Sequence, residues 1–226
     1  MLLQFLADLQ SGDVFGATII LLGYFIAIVI GISLHEFAHA LVAYRLGDLT
    51  PLRDGRVTIN PLAHFDIFGT LLIVLVGFGY GRPVLVNPYN FRMDRRMGMA
   101  LVAIAGPITN IIIAVVFGLA LRMLIGVWEN SASQGLLVVI TIFDIIVRLN
   151  LALAIFNMIP FPPLDGSKVL LALLPGDLAY RVEQFYVQTQ QYGLILIMLI
   201  FWFGGRFIGP IISGPANALY GLIVGY

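Results

Sequence analysis

Residues 14–44 read VFGATIILLGYFIAIVIGISLHEFAHALVAY, an apolar run whose only charged side chain besides its histidines is Glu36. The run exceeds the roughly 20 residues that cross a hydrocarbon core. It ends at Arg45-Leu46-Gly47-Asp48, with a glycine placed to stop a helix. Read as a membrane-spanning helix, it decides the fold class, and composition agrees. Hydrophobic residues make up 60% of the chain, charged residues 11%, and the mean hydropathy is +1.00. A soluble domain carries about a quarter charged residues. The formal net charge is zero, which gives no electrostatic footprint for nucleic acid. With no cysteine, disulfides, thiolate metal sites and cysteine nucleophiles are excluded.

Outward from this run, further apolar stretches extend from about Arg96 to Leu124, with an interruption expected at Gly106-Pro107, and from Gln134 to Met158 and Tyr192 to Ile212. Phe65 to Tyr80 is apolar but short and glycine-rich, and reads as a re-entrant or membrane-dipping segment. Gly55 to Asn60 reads as a short strand, and Arg82 to Asn90 as extended chain. Met1 to Asp13 has no Lys or Arg and does not read as a cleavable signal; its leucines at helical spacing suit a helix on the membrane surface. The expected architecture is an all-α polytopic bundle of about four full spans, with the dipping segment and a small β-hairpin region. No linker or repeat divides it, so residues 1–226 read as one domain.

Arg45, Arg53, Arg56, Arg82, Arg92, Arg95, Arg96, Lys168 and Arg181 fall on one side if Phe65–Tyr80 does not cross. That side is then the cytosol.

Chemistry concentrates at His35-Glu36-Phe37-Ala38-His39. One helical turn is 3.6 residues, so His35 and His39 project from one face at the spacing that lets two imidazoles share a tetrahedral zinc. Glu36 is placed to act as general base on the attacking water without being a ligand. Ionisable groups inside a span cost about 2.5–3.5 kcal/mol each by insertion scales, and a divalent metal compensates them. A catalytic zinc takes a third protein ligand, for which His64, Asp66, Asp144 and Asp165 are candidates. Asp144 has Arg148 one turn on as a neutralising partner. Asp165 follows Pro160, Pro162 and Pro163, where irregular backbone would line a watery cavity. Lys168 reads as an interfacial anchor.

Three motifs in order, His35-Glu36-Phe37-Ala38-His39, Gly106-Pro107-Ile108-Thr109-Asn110 and Asn157-Met158-Ile159-Pro160-Phe161-Pro162-Pro163-Leu164-Asp165-Gly166, resemble those of the site-2 protease family of intramembrane zinc metalloproteases. Asn60-Pro61-Leu62-Ala63-His64-Phe65-Asp66-Ile67-Phe68-Gly69-Thr70 resembles a stretch of its compact prokaryotic branch, without the PDZ and CBS domains of some relatives. The resemblance implies one Zn2+ per chain, held by His35, His39 and Asp165, with Glu36 as catalytic acid and base. It also implies that Asn157 holds the substrate carbonyl or oxyanion. Asn110 is a second candidate for that task, and His64 a candidate contact behind the zinc ligands or to substrate. The implied substrate is a membrane protein with a transmembrane segment, cut within the plasma membrane of a prokaryote on its cytosolic side. A homo-oligomer is compatible with the sequence. The competing expectation is a membrane metal-binding or transport protein that uses the same His/Asp cluster.

Overall fold

The computed structural model describes residues 7, 10–66, 69, 81–189 and 193–225, and for residues 193–208 the backbone alone. Seven α-helices occur among them: α1 (Val14–Arg45), α2 (Thr50–Arg53), α3 (Arg95–Ser131), α4 (Gln134–Asn157), α5 (Asp165–Leu173), α6 (Gly176–Thr189) and α7 (Gly193–Val224). Three of these, α1, α3 and α4, are long and apolar enough to cross a membrane. The sequence expects α7, at 32 residues, to be the fourth span.

Two of the long helices begin at side-chain caps. The Asp13 carboxylate caps α1 by accepting from Gly16 N (2.8 Å), and Asp94 caps α3 by accepting from Met97 N (2.9 Å). At its far end α3 turns into α4 through Ala132, whose left-handed backbone (φ 48°) closes a tight helical hairpin. α1, α3 and α4 pack on one another, and α7 lies against α3 and α4. In lipid the hydrophobic effect does not draw helices together, so association depends on close packing and polar contacts. The buried faces reflect this. Ala27, Ile113, Ile145 and Ile146 interlock α1, α3 and α4, while Ala114, Leu121, Val147, Leu151 and Val224 join α3 and α4 to α7. Phe15, Phe25, Ile112, Val116 and Met123 stay exposed, as side chains facing acyl chains should be. Asp144 and Arg148 do pair one turn apart on α4 (2.9 Å). Tyr220 of α7 joins them, donating its hydroxyl to Asp144 with its ring 3.8 Å from the guanidinium.

Three sequence expectations need correction. No strand or hairpin forms among the described residues, where the β-structure is a single antiparallel bridge between Phe65 and Gly81. Gly55 (φ +65°) ends a turn instead of opening a strand, and Asn60-Pro61 starts a 3₁₀ turn, Pro61–Ala63, with Asn60 Oδ1 accepting from Leu62 N (3.1 Å). The reason is that Pro61, Pro83 and Pro88 remove ladder donors, while the buried Arg56 guanidinium donates to the Ala63 and Arg82 carbonyls that a ladder would otherwise satisfy. Second, α3 runs unbroken through Pro107. Third, α7 continues through Pro210 and Pro215 to Val224, about a dozen residues beyond the expected stop at Ile212; spans tolerate such prolines when neighbouring groups re-satisfy the freed carbonyls. The expected dipping segment, Phe65–Tyr80, lies outside the described residues apart from Phe65, Asp66 and Gly69, as does most of Met1–Asp13.

Candidate metal centre

His35 and His39 lie one turn apart on the buried face of α1, and both side chains are almost fully enclosed. Asp165 is the first residue of α5, following an irregular stretch that includes the cis Pro162–Pro163 bond. Gly166 makes that stretch pack: a Cβ there would stand 2.2 Å from the Met158 carbonyl oxygen, so only glycine lets α5 start against the end of α4. The result sets Asp165 Oδ2 3.1 Å from His35 Nε2 and 3.1 Å from His39 Nε2, which are themselves 2.9 Å apart. Among the described residues these three form the one cluster with metal-ligand geometry.

The donor chemistry fits a cation. His39 Nδ1 lies 2.7 Å from the Val102 carbonyl oxygen, which can only accept, so that nitrogen carries the proton. His35 Nδ1 lies 2.6 Å from Asn110 Oδ1, another acceptor. In their neutral forms both imidazoles therefore present Nε2 lone pairs to each other and to a carboxylate oxygen. That convergence is repulsive by itself and attractive around a positive ion. A tetrahedral zinc with bonds of about 2.0–2.1 Å sets its ligand atoms roughly 3.3 Å apart, close to the separations found. Asp165 Oδ1 accepts from Lys168 Nζ at 3.2 Å, which leaves Oδ2 for the metal. Lys168 thus contacts the site rather than only anchoring an interface; its position three residues after Asp165, on the same helical face, was the available signal.

Gly106 of α3 lies directly against the two imidazoles. A Cβ there would fall 2.5 Å from His35 Nε2 and 2.6 Å from His39 Nε2, so not even a methyl group fits between helix and imidazoles. Glu36 makes no hydrogen bond to the cluster and is partly exposed, on the side where Gly81 and His64 pass: the Cβ position of Gly81 is 3.7 Å from Glu36 Cγ and 3.1 Å from the His64 carbonyl oxygen. Burial lowers the pKa of the Arg56 guanidinium on that flank, although the Glu36 carboxylate pulls the other way. The Asp48 carboxyl, fully buried at the end of α1, is pushed up by burial, but hydrogen bonds from Asn90, Thr50 and the Asn87 amide outweigh this and hold it below the usual carboxylate range. Asp48 thereby ties the Asn87–Asn90 turn to the helix that carries the histidines.

The remaining candidates are placed as follows. Asn110 is fully buried, with its oxygen on His35 Nδ1 and its nitrogen on the Gly31 carbonyl and Asn150 Oδ1, so its amide is engaged behind His35 and is not open to a substrate. Asn157 is partly exposed, with one N–H on the Leu153 carbonyl (3.0 Å). His64 is fully buried in the loop, its Nε2 donating to the Thr58 carbonyl (2.7 Å) and its own carbonyl accepting from Arg82 N (2.7 Å); it supports that loop. Asp144 lies apart on α4 with Arg148 and Tyr220. Sequence reading passed over Asn150 and gave Arg56 only a place among the cytosolic-side charges, since neither lies at a spacing that marks chemistry.

Comparison with known proteins agrees. Residues 123–201, the stretch containing Asn157 and Asp165, match the family described as Peptidase family M50. A protein of Bacillus subtilis named "Putative zinc metalloprotease YwhC" is 40% identical over 179 residues, covering 78% of each chain. Rip2 of Mycobacterium tuberculosis, which bears the same zinc metalloprotease description, is 27% identical over 200 residues, 81% of this chain and 72% of the relative. MJ0611 of Methanocaldococcus jannaschii, again so described, is 32% identical over 146 residues, 64% of this chain and 67% of its own. No solved structure matches. With two imidazoles of a membrane-capable helix converging on a carboxylate, and a relative this similar along most of its length, the chain belongs to peptidase family M50, the site-2 protease family of zinc metalloproteases.

Proposed function

We propose that the protein hydrolyses a peptide bond in or near a transmembrane segment of a membrane-protein substrate, with His35, His39 and Asp165 holding zinc and Glu36 moving the proton. The observation that carries this reading is the convergence of His35 Nε2, His39 Nε2 and Asp165 Oδ2 within 3.1 Å of one another, the two histidines lying on a helix able to cross a membrane. Zinc, when bound, supplies a Lewis acid that makes water nucleophilic near neutral pH and stabilises developing negative charge on the scissile carbonyl. Glu36 takes the proton as the water attacks, then returns it to the leaving amine. The second N–H of Asn157, which has no partner among the described residues, is available to the substrate carbonyl. Asn110 orients His35 rather than touching substrate. The catalytic unit is one domain.

A substrate helix hides its peptide groups in i→i−4 hydrogen bonds and must unwind before water can attack. Residues 83–86 suit the unwound strand. They leave the Phe65–Gly81 bridge beside Glu36, are irregular and partly exposed, and the backbone N–H groups of residues 84–86 have no partner among the described residues. An extended substrate can pair there by strand addition. Successive N–H groups of an extended chain point to opposite edges, so Leu85→Pro and Val86→Pro remove donors from different edges. One variant is expected to cut a membrane-spanning reporter about tenfold or more slowly, with zinc content unchanged, while the other stays near wild type. Equal, undiminished cleavage by both would rule out strand addition. Mass spectrometry of the products tests the larger reading: cuts confined to a water-exposed flank far from the span would overturn it.

The site opens towards the cytosol in this reading. His39 lies six residues before Arg45, about 9 Å along the axis, so the metal is shallow beneath the arginine-rich face. Arg92 N donates to Leu46 O and Arg96 to Leu174 O, which keeps the end of α1, the start of α3 and the end of α5 on that side. The membrane is the plasma membrane of a prokaryote. In this cysteine-free chain, a single cysteine at Arg82 should react with a membrane-impermeant thiol reagent only once the cytosolic face is opened. Labelling of intact cells would reverse the orientation.

A further inference from the structure

His35 and His39 are oriented by different means. His39 is held by the Val102 backbone carbonyl, whose polarity cannot change. His35 is held by the Asn110 side chain, an amide that could rotate by half a turn and present N–H where its oxygen now lies. A flipped Asn110 would donate to His35 Nδ1, drive the imidazole proton to Nε2, and abolish the lone pair that a metal needs. Something must prevent the flip.

The chain of contacts behind Asn110 does so. The Ile146 backbone carbonyl accepts from Asn150 Nδ2 (2.9 Å), which turns Asn150 Oδ1 the other way. That oxygen accepts from Asn110 Nδ2 (2.8 Å), and the Gly31 carbonyl takes a longer bond from the same nitrogen (3.2 Å). With its nitrogen committed to two acceptors, Asn110 can offer only its oxygen to His35 Nδ1 (2.6 Å). Asn110 and Asn150 are both fully buried, so water cannot replace a missing partner. From Ile146 O to His35 Nε2, every donor and acceptor has one allowed sense.

We infer that Asn150 is a positioning residue for zinc: through Asn110 it holds His35 in the Nδ1–H tautomer, with the Nε2 lone pair aimed at the metal. This rests on the reading of His35, His39 and Asp165 as zinc ligands. Partners of this kind, one step or more behind a ligand, are typically worth about 10–100-fold in metal affinity.

The test uses the full-length protein in detergent, with zinc affinity from competition against a chelator and His35 tautomer from side-chain 15N shifts of the metal-free protein. Only three histidines need resolving. Asn150→Leu removes the acceptor at similar volume and is expected to weaken zinc about 10–100-fold. It should also mix the His35 tautomers while His39 stays Nδ1–H. Asn150→Asp, kept neutral by burial, retains an acceptor for Asn110 and a donor for Ile146, and should restore both readouts. If the leucine variant does not fold, Asn150→Ser, too short to reach Asn110, carries the same expectation. Unchanged affinity and an unmixed His35 tautomer would overturn the inference. Asp165→Ala, measured alongside, separates the two claims: wild-type zinc binding there would refute the ligand set itself, whereas loss there with no effect at Asn150 would refute only the relay.

Discussion

Glu36→Gln protein, purified in detergent, is expected to carry zinc at the wild-type ratio and to cleave a membrane-spanning reporter about 10²–10⁴-fold more slowly. The substitution keeps the size and one carbonyl oxygen of the side chain but removes the group that can take a proton. Glu36 has no hydrogen bond to the histidine–aspartate cluster, so its loss leaves the three ligand contacts in place. Its carboxylate lies on the open flank, beside Gly81 and within the field of Arg56. A residue there can reach a water that the ligands themselves cannot deprotonate. Retained cleavage, in a preparation free of wild-type enzyme, would sink the assignment. A cation-transport role for the same cluster predicts no dependence of proteolysis on Glu36, and membership of a peptidase family already speaks against it.

Asp165→Ala has the opposite signature: zinc and activity are lost together. Two neutral imidazoles remain, 2.9 Å apart, without the anionic donor that completes three-point ligation. Removing a direct ligand should weaken zinc by more than the roughly 100-fold upper range for outer partners, so the metal should leave on dialysis. Lys168, now 3.2 Å from Asp165 Oδ1, would then place an ammonium beside the empty centre and disfavour a divalent cation further. The double variant Asp165→Ala/Lys168→Ala should recover some zinc affinity relative to the single one. Stoichiometric, tightly held zinc in Asp165→Ala would instead require a different third ligand.

What the sequence determined by itself was local. Helical spacing put His35, Glu36 and His39 on one turn, since the i, i+4 relation holds in any α-helix wherever that helix packs. Length and apolarity set the spans, because the bilayer imposes a thickness on any chain that crosses it. The prolines before Asp165 and the three-motif resemblance pointed to Asp165 as the partner of the two histidines. The family was legible for the same reason: its motifs are short and contiguous.

Tertiary structure decided everything that joins residues far apart in the chain. Asp165 reaches His35 across 130 positions because Gly166 admits the Met158 carbonyl and lets α5 begin there. Asn110 looked from its motif like a group for substrate; packing of α3 against α1 put its oxygen on His35 Nδ1 instead. The expected strand at Gly55–Asn60 gave way to turns because buried Arg56 and Asp48 satisfy backbone groups from several segments, which no reading of neighbouring residues reveals. Asn150 is the plainest case, an asparagine inside an apolar helix with no spacing to mark it. The opening run VFGATIILLGYFIAIVIGISLHEFAHALVAY contains both histidines, yet which nitrogen of His35 faces the metal depends on amides from two other helices. Hydrogen-bond direction is a property of partners brought together by packing, and only the folded bundle supplies those partners.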